Sequence, residues 1–253
     1  MPNSLDVYLL PSLAEPERVS GRLAVVIDVL RATTTIVYAL AGGAREILIY
    51  QEIDESRKLA ARTAGALLAG ERGGWPIAGF HLGNSPREYS ADAVGGRTIV
   101  FTTTNGTRAM ACCAAARRVL LGAFVNFSAI CRELAAELSS PACRGAALIC
   151  AGTEGEVTRE DTLLAGAIVA ELAGDNDLKL SLNDQAEIAA DAWRGCRIDV
   201  GGHDSLCRTL RRSRGGRNLI DIGLEDDIPM AAEIDRFDLV PVLDPATRQV
   251  TVA

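Results

Sequence analysis

Apolar residues in this chain fall into short, nearly continuous runs separated by longer stretches of helical spacing. Val25-Val26-Ile27, Ile47-Leu48-Ile49-Tyr50, Ile99-Val100-Phe101, Val119-Leu120-Leu121 and Ala146-Ala147-Leu148-Ile149-Cys150 are such runs. Runs this short, apolar at successive positions, predict strands buried on both faces. Helices are predicted over 33–40, closed by Gly42-Gly43, and over 54–69, where Leu59, Thr63, Ala66 and Leu67 share a face. Further helical patterns cover 107–116, 126–138, 161–172, 184–195 and 205–212. Val7-Tyr8-Leu9-Leu10 predicts a first strand that stops at Pro11. The segment 239–243 contains Pro241 and so predicts an edge strand, because proline leaves a ladder bond unmade in a sheet centre. The segment 70–89, rich in glycine and proline, predicts a long functional loop.

Strands alternating with helices predict a three-layer α/β/α sandwich around a largely parallel or mixed central sheet. Two strand-to-helix junctions look alike: Ile27-Asp28-Val29-Leu30-Arg31-Ala32-Thr33-Thr34-Thr35 and Phe101-Thr102-Thr103-Thr104-Asn105-Gly106-Thr107-Arg108. Thr35, Ala39 and Ala44-Arg45 recur at the spacing of Thr107, Ala111 and Ala116-Arg117, as a duplicated βαβ unit would require. Two independent βαβ units would show similar spacing, so both origins stand. Unpaired amides and the dipole at a helix start favour an anion, so a phosphate or sulfonate is expected at these junctions. In open α/β sheets ligands bind beyond the carboxyl ends of strands, which lets the segments 28–35, 102–108 and 152–161 converge on one cleft.

Composition narrows the class. With 253 residues and 48% hydrophobic content, residues 1–253 can form one domain, or two closely packed lobes, without a staple. Aromatic residues are only 4%, so the core must consist mainly of small aliphatic side chains. A net charge of -7 argues against nucleic acid as partner but leaves room for a small anion held by local arginines. The cluster Arg208, Arg211, Arg212 and Arg214 fits a solvated helix end better than a phosphate or nucleic-acid patch. Seven cysteines, an odd number without a CxxC pair, and two histidines give little support to a disulfide framework or a structural zinc site. No leader-like segment or membrane-length apolar run is present, so a cytoplasmic location away from membranes is expected. A homo-oligomer is compatible with this composition.

Asp28 ends an otherwise apolar strand and needs a partner, either Arg31 or a divalent cation. The hydroxyls of Thr33 and Thr34 either cap a helix or touch a ligand, and Thr103, Thr104, Asn105, Gly106 and Thr107 offer neutral donors around a permissive glycine. The junction lacks the glycine spacing and Gly-Lys-Ser/Thr ending of a nucleotide loop. Candidate metal acids are Asp28, Glu71, Glu154, Glu156, Glu160 and Asp161, and oxygen ligands point to magnesium over zinc. Asp161 also fits as a first-turn charge that complements a helix dipole.

Five segments together resemble the 2-phosphosulfolactate phosphatases, in order and spacing. They are Ile27-Asp28-Val29-Leu30-Arg31-Ala32-Thr33-Thr34, Gly70-Glu71-Arg72-Gly73-Gly74, Gly79-Phe80-His81-Leu82-Gly83-Asn84-Ser85-Pro86, Thr102-Thr103-Thr104-Asn105-Gly106-Thr107 and Cys150-Ala151-Gly152-Thr153-Glu154-Gly155. The resemblance implies a Mg2+-dependent phosphatase that releases sulfolactate and phosphate from 2-phosphosulfolactate, a small anionic substrate associated with coenzyme M biosynthesis. It directs attention to Asp28, Arg31, Glu71 and Arg72 as catalytic residues, and to Asp28, Glu71, Glu154 and Asp161 as metal ligands. Substrate contacts are expected from Thr33, Thr34, Asn84, Ser85 and the 103–107 loop, with Arg87 and Arg108 as further cations. His81 departs from the pattern, where an acid is expected more often. The C-terminal third matches less, with Ser205-Leu206 and Asp221-Ile222 as its echoes. Alternatives are a phosphatase for another small phosphorylated carboxylate and a non-catalytic sensor of anionic metabolites.

Overall fold

A computed structural model of the chain describes residues 3–140, 142–196 and 202–253. Its strands are β1 (Asn3–Tyr8), β2 (Leu23–Ile27), β3 (Glu46–Ile49), β4 (Leu67–Arg72), β5 (Trp75–Pro76), β6 (Thr98–Thr102), β7 (Arg118–Gly122), β8 (Ala146–Cys150), β9 (Leu180–Leu182), β10 (Pro241–Asp244) and β11 (Gln249–Val252). Its helices are α1 (Pro16–Val19), α2 (Ala32–Ala41), α3 (Ile53–Arg62), α4 (Ala91–Val94), α5 (Gly106–Cys112), α6 (Phe127–Leu138), α7 (Arg159–Ala173), α8 (Asp184–Gly195), α9 (His203–Arg211), α10 (Arg214–Asp221) and α11 (Asp227–Ala231). All strands join one sheet in the order β5-β4-β6-β3-β11-β10-β7-β2-β8-β1-β9.

Successive side chains of β2 show why the apolar runs are continuous. Leu23, Val25 and Ile27 enter a core shared with Leu134 of α6, Ile168 of α7 and Ala189 of α8. Ala24 and Val26 enter the other core, with Ile36 and Val37 of α2 and Met110 of α5. Both faces of the sheet are covered by helices, the α/β arrangement expected from the alternation. Removing an aliphatic side chain such as Ile27 or Ile36 from water is worth about 1.5–3 kcal/mol, and a core of such groups needs few aromatics.

The sheet consists of two parallel blocks that run in opposite directions. β7, β2, β8, β1 and β9 form one, and β3, β6 and β4 the other. The antiparallel hairpin β10–β11 joins them, each of its strands running antiparallel to its outer neighbour. Outward from this hairpin, β10-β7-β2-β8 mirrors β11-β3-β6-β4. The likeness extends to single hydrogen bonds: Arg45 N donates to Arg97 O as Arg117 N does to Arg22 O, both at 2.9 Å. Gly96 N likewise donates to Gly43 O, and Gly21 N to Ala115 O. This symmetry makes Ala44-Arg45 correspond to Ala116-Arg117. The strand registers Leu23↔Arg118 and Thr98↔Glu46 then make Asp28 correspond to Thr103.

The ends of β2 and β6 meet despite their opposed blocks: Gly106, beyond β6, packs against Asp28 and Ala32, beyond β2.

Three sequence expectations fail here. The helix expected over 54–69 ends at Arg62, and Leu67 already belongs to β4, so Ala66 and Leu67 do not continue the face of Leu59. Gly65, at φ +70°, turns the chain, and parallel pairing from Leu67↔Ile99 to Gly70↔Thr102 overrides the helical pattern. The segment with Pro241 is central and not at an edge. Pro241 opens β10 opposite Val252, and pairing with β7 begins only at Val242, so the proline stands at the first residue of its strand, where a missing amide is tolerated. The 70–89 segment carries the end of β4, β5 and a 3-10 turn, Pro86–Glu88, in place of an unbroken loop. All seven cysteines are free thiols. No helix among the described residues is long and apolar enough to cross a membrane.

Candidate active site

Asp28 stands one residue beyond β2, and its Oδ1 accepts the Ala32 amide at 3.1 Å. The anion at the start of α2 is therefore the protein's own carboxylate. Thr33 Oγ1 closes the same turn, accepting from Asp28 N and donating to Asp28 O. Thr34 donates to Val29 O and Thr35 to Asn84 O. All three threonines are wholly buried, so the structure places Thr33 and Thr34 inside the turn and away from solvent. Asp28 itself lines a cleft of about 280 Å3, with Gly106 packed against it. Burial is the main force pushing its pKa up; the nearby Glu71 and Glu160 charges add to it, the Ala32 amide and Arg31 oppose it, and the result is about 7.

A second carboxylate comes from the end of β4. Glu71 Oε1 accepts Thr104 N and its Oε2 accepts Gly74 N, both at 2.7 Å. This single buried side chain holds the Gly73-Gly74 turn against the 102–107 junction. Thr103 and Thr107 cap one another: Thr107 N donates to Thr103 Oγ1, and Thr103 N to Thr107 Oγ1. Both are buried, whereas Thr104 and Asn105 line the cleft. Asn105 Oδ1 accepts from Glu154 N, which ties this wall to the loop after β8.

Arg31 does not pair with Asp28. Its Nη1 donates to Asp227 Oδ2 at 2.7 Å and its Nη2 to Gly74 O at 2.9 Å. Asp227 also accepts from Ser85 Oγ, so one buried carboxylate of α11 fixes both Arg31 and the 79–86 segment. Asn84 lines the cleft beside them, 5% exposed, with its Oδ1 lacking a partner.

Asp161, expected among the metal acids, has both oxygens occupied by backbone amides. Oδ1 accepts Val29 N and Oδ2 accepts Gly152 N, which clamps the end of β2 to the loop after β8. Burial, with the Glu160 and Asp28 charges, pushes its pKa well up. Glu160 is buried behind Gly215, and burial raises its pKa as well. Glu154 reaches the cleft from an exposed position and pairs with Arg214 at 2.7 Å, while Glu156 pairs with the same arginine.

Other expected residues sit apart from the cleft. Arg72 donates to Gln51 O, Arg87 pairs with Asp226, and Arg108 is exposed on α5. His81 Nδ1 accepts Leu68 N beside β4, a backbone role at the position where an acid was expected. Sequence reasoning missed Asn218 and Asp221, which bring α10 to the cleft, and Asp227. The Asp221-Ile222 echo was the one signal for this region.

The cleft is lined by the carboxylates of Asp28, Glu71, Glu154 and Asp221 against one guanidinium, Arg31, itself paired. A polyanion would meet net negative charge there. A hard divalent cation reverses that balance, and the unspent Asp28 Oδ2 with the adjacent Glu71 suits one. Among the described residues no group of three or more His, Cys, Asp or Glu is placed as a protein-only metal cage. Magnesium fits such a site, since it keeps several waters and takes one or two carboxylates together with substrate phosphate.

Residues 8–245 match the family model described as 2-phosphosulpholactate phosphatase. The chain is 41% identical over 242 residues to a probable 2-phosphosulfolactate phosphatase of Deinococcus radiodurans, covering 95% of this chain and 93% of that one. It is 41% identical over 229 residues to the protein of the same description from Symbiobacterium thermophilum, covering 89% and 93%. Against that from Caldicellulosiruptor saccharolyticus it is 44% identical over 217 residues, covering 86% and 87%.

Proposed function

Because the chain belongs to the 2-phosphosulfolactate phosphatase family, we propose that it hydrolyses the phosphate ester of 2-phosphosulfolactate to sulfolactate and phosphate, with Mg2+ as cofactor. The observation that carries this reading is the acidic cleft around Asp28, where one oxygen caps α2 and the other is left beside Gly106. Asp28 and Glu71 are the residues that would hold the metal. When bound, it supplies positive charge to the phosphate oxygens and to the departing ester oxygen. Glu154 is a weaker candidate because Arg214 already occupies it, and Asp161 is left out because, unlike Glu71, whose two oxygens also accept backbone amides, it does not line the cleft.

The chain's own residues fix the geometry. Asp227 and the Gly74 carbonyl orient Arg31 before substrate arrives, so its remaining donors face the cleft without reorganisation. Thr104 and Asn105 offer neutral groups on the opposite wall. Water is assigned as the nucleophile: it adds to phosphorus, the ester P–O bond breaks, and the proton that the water gives up ends on the leaving oxygen. Attack by Asp28 is less favoured, since Oδ1 is engaged with Ala32 and residue 30 is leucine, which leaves no Asp-x-Asp pair.

Phosphate release from 2-phosphosulfolactate, phospholactate and an aryl phosphate, each with Mg2+ or with EDTA, tests the reading. Preference for the sulfonate ester, lost in EDTA and restored by Mg2+, is expected. Absence of turnover on all three would overturn the enzyme assignment, and preference for phospholactate would move the substrate to another phosphorylated carboxylate.

A further inference from the structure

The 83–85 segment is anchored at three successive residues, yet the one side chain aimed at the cleft is left unanchored. Gly83 N donates to Glu88 and Gly83 O accepts from the Tyr89 hydroxyl. Asn84 O accepts from Thr35, and Ser85 Oγ donates to Asp227. None of these bonds uses the Asn84 amide, which is buried at the cleft with Oδ1 unpartnered. A buried amide oxygen without a partner costs about 1–3 kcal/mol, so the segment is not held in place for the sake of that side chain.

Arg31 shares the wall. It and Ser85 meet on the same Asp227 carboxylate, and two of its five donors are spent on Asp227 and Gly74. Among the described residues nothing bonds either end of the Asn84 amide, so Nδ2 is left to donate at the cleft that the residue lines. An oxyanion arriving there meets an amide donor and guanidinium donors together, without the crowding that a second cation beside a metal would cause.

We propose that Asn84, with Arg31, receives the oxyanion of the substrate that is not transferred, its carboxylate or sulfonate, and thereby selects which phosphate esters the cleft accepts. The proposal rests on the phosphatase reading for the identity of the ligand and not for the vacancy at the amide. It makes Asn84 a specificity residue whose removal acts according to what the substrate carries beyond phosphate.

The test compares kcat/KM of the full chain and Asn84→Ala on 2-phosphosulfolactate, phospholactate and an aryl phosphate, with calorimetric binding of sulfolactate alone. About a ten- to hundredfold loss is expected for the two esters with a second anion, as for one hydrogen bond to a charged group, and a much smaller loss for the aryl phosphate. Loss on phospholactate as large as on 2-phosphosulfolactate assigns the carboxylate; loss confined to the latter assigns the sulfonate. Asn84→Asp, nearly isosteric, should lower both further by placing like charge on the oxyanion. An equal loss on all three esters, or no loss, overturns the proposal. Sulfolactate binding that Asn84→Ala weakens, without turnover of any ester, would leave the proposal standing and remove the phosphatase reading. A wild-type chain that neither binds sulfolactate nor turns over any ester would remove both.

Discussion

Gly106 opens α5 at a position from which a side chain would strike Asp28: a Cβ there would lie 2.9 Å from Asp28 Oδ2 and 2.7 Å from the Ala32 Cβ. The two junctions that look alike in sequence therefore meet, and the glycine of one gives room to the carboxylate of the other. Gly106→Ala should destabilise the fold by about 1–3 kcal/mol through overpacking, against at most about 1 kcal/mol gained in helix propensity. Urea unfolding measures the sign, and phosphate release by the folded fraction should fall because Asp28 must move.

Asp28→Asn separates chemistry from architecture. Asparagine retains an oxygen to cap Ala32, so the fold should persist while the free anionic oxygen disappears. Turnover should drop at least a hundredfold, with Tm unchanged or higher. Retained turnover would remove Asp28 from the catalytic set.

The same residue sets a pH dependence in the metal-free protein. Its folded pKa of about 7 lies above the ordinary aspartate value of 3.8, so the folded state holds its proton over that interval while the unfolded state releases it. Asp28 thus contributes stability fully below pH 4, and that contribution is lost as pH rises from about 4 through 7. In EDTA, the Tm difference between wild type and Asp28→Asn should shift in favour of wild type on acidification across this window. A difference that stays flat from pH 4 to 7.5 would contradict the assigned burial of this group.

Asp227→Ala should cost about 3–5 kcal/mol, because it strands the Arg31 charge, 4% exposed, in the interior. Asp227→Asn, which keeps an acceptor, should cost less. Denaturant midpoints of the two variants order them directly.

Asp161→Ala removes two backbone anchors at once and leaves the Val29 and Gly152 amides unpaired, at about 1–3 kcal/mol each. Among molecules that remain folded, the Mg2+ concentration for half-maximal activity should match wild type. A large rise in that concentration would restore Asp161 to the metal site.

Strands β1, β2, β3, β6, β7, β8 and β10, most helices and the meeting of three loops at strand ends could be read from the chain because continuous apolar runs and glycine stops are local signals. Leu67 could not be assigned, since its strand exists only by pairing with Ile99, far away in sequence. Pro241 misled for a related reason: whether a missing amide matters depends on which neighbour begins pairing, and where. At the site, Asp28 stood out as an acid among Val and Ile, but its expected partner Arg31 turned to Asp227, in a segment with few recognisable residues. Thr33 and Thr34 were legible as hydroxyls at a helix start, though composition could not say that every hydroxyl would be turned inward.

The β10–β11 hairpin has a consequence for how the chain assembles. It lies C-terminal to every strand it joins, so during synthesis the two opposed blocks exist before their connection does. Until the hairpin docks, β3 and β7 each present a row of unpaired backbone groups, the exposed edge from which chains aggregate or exchange strands. Shortening the chain before Pro241 should therefore give a protein with two open edges and a cleft whose walls are no longer stitched together, even though no residue of the cleft has been removed.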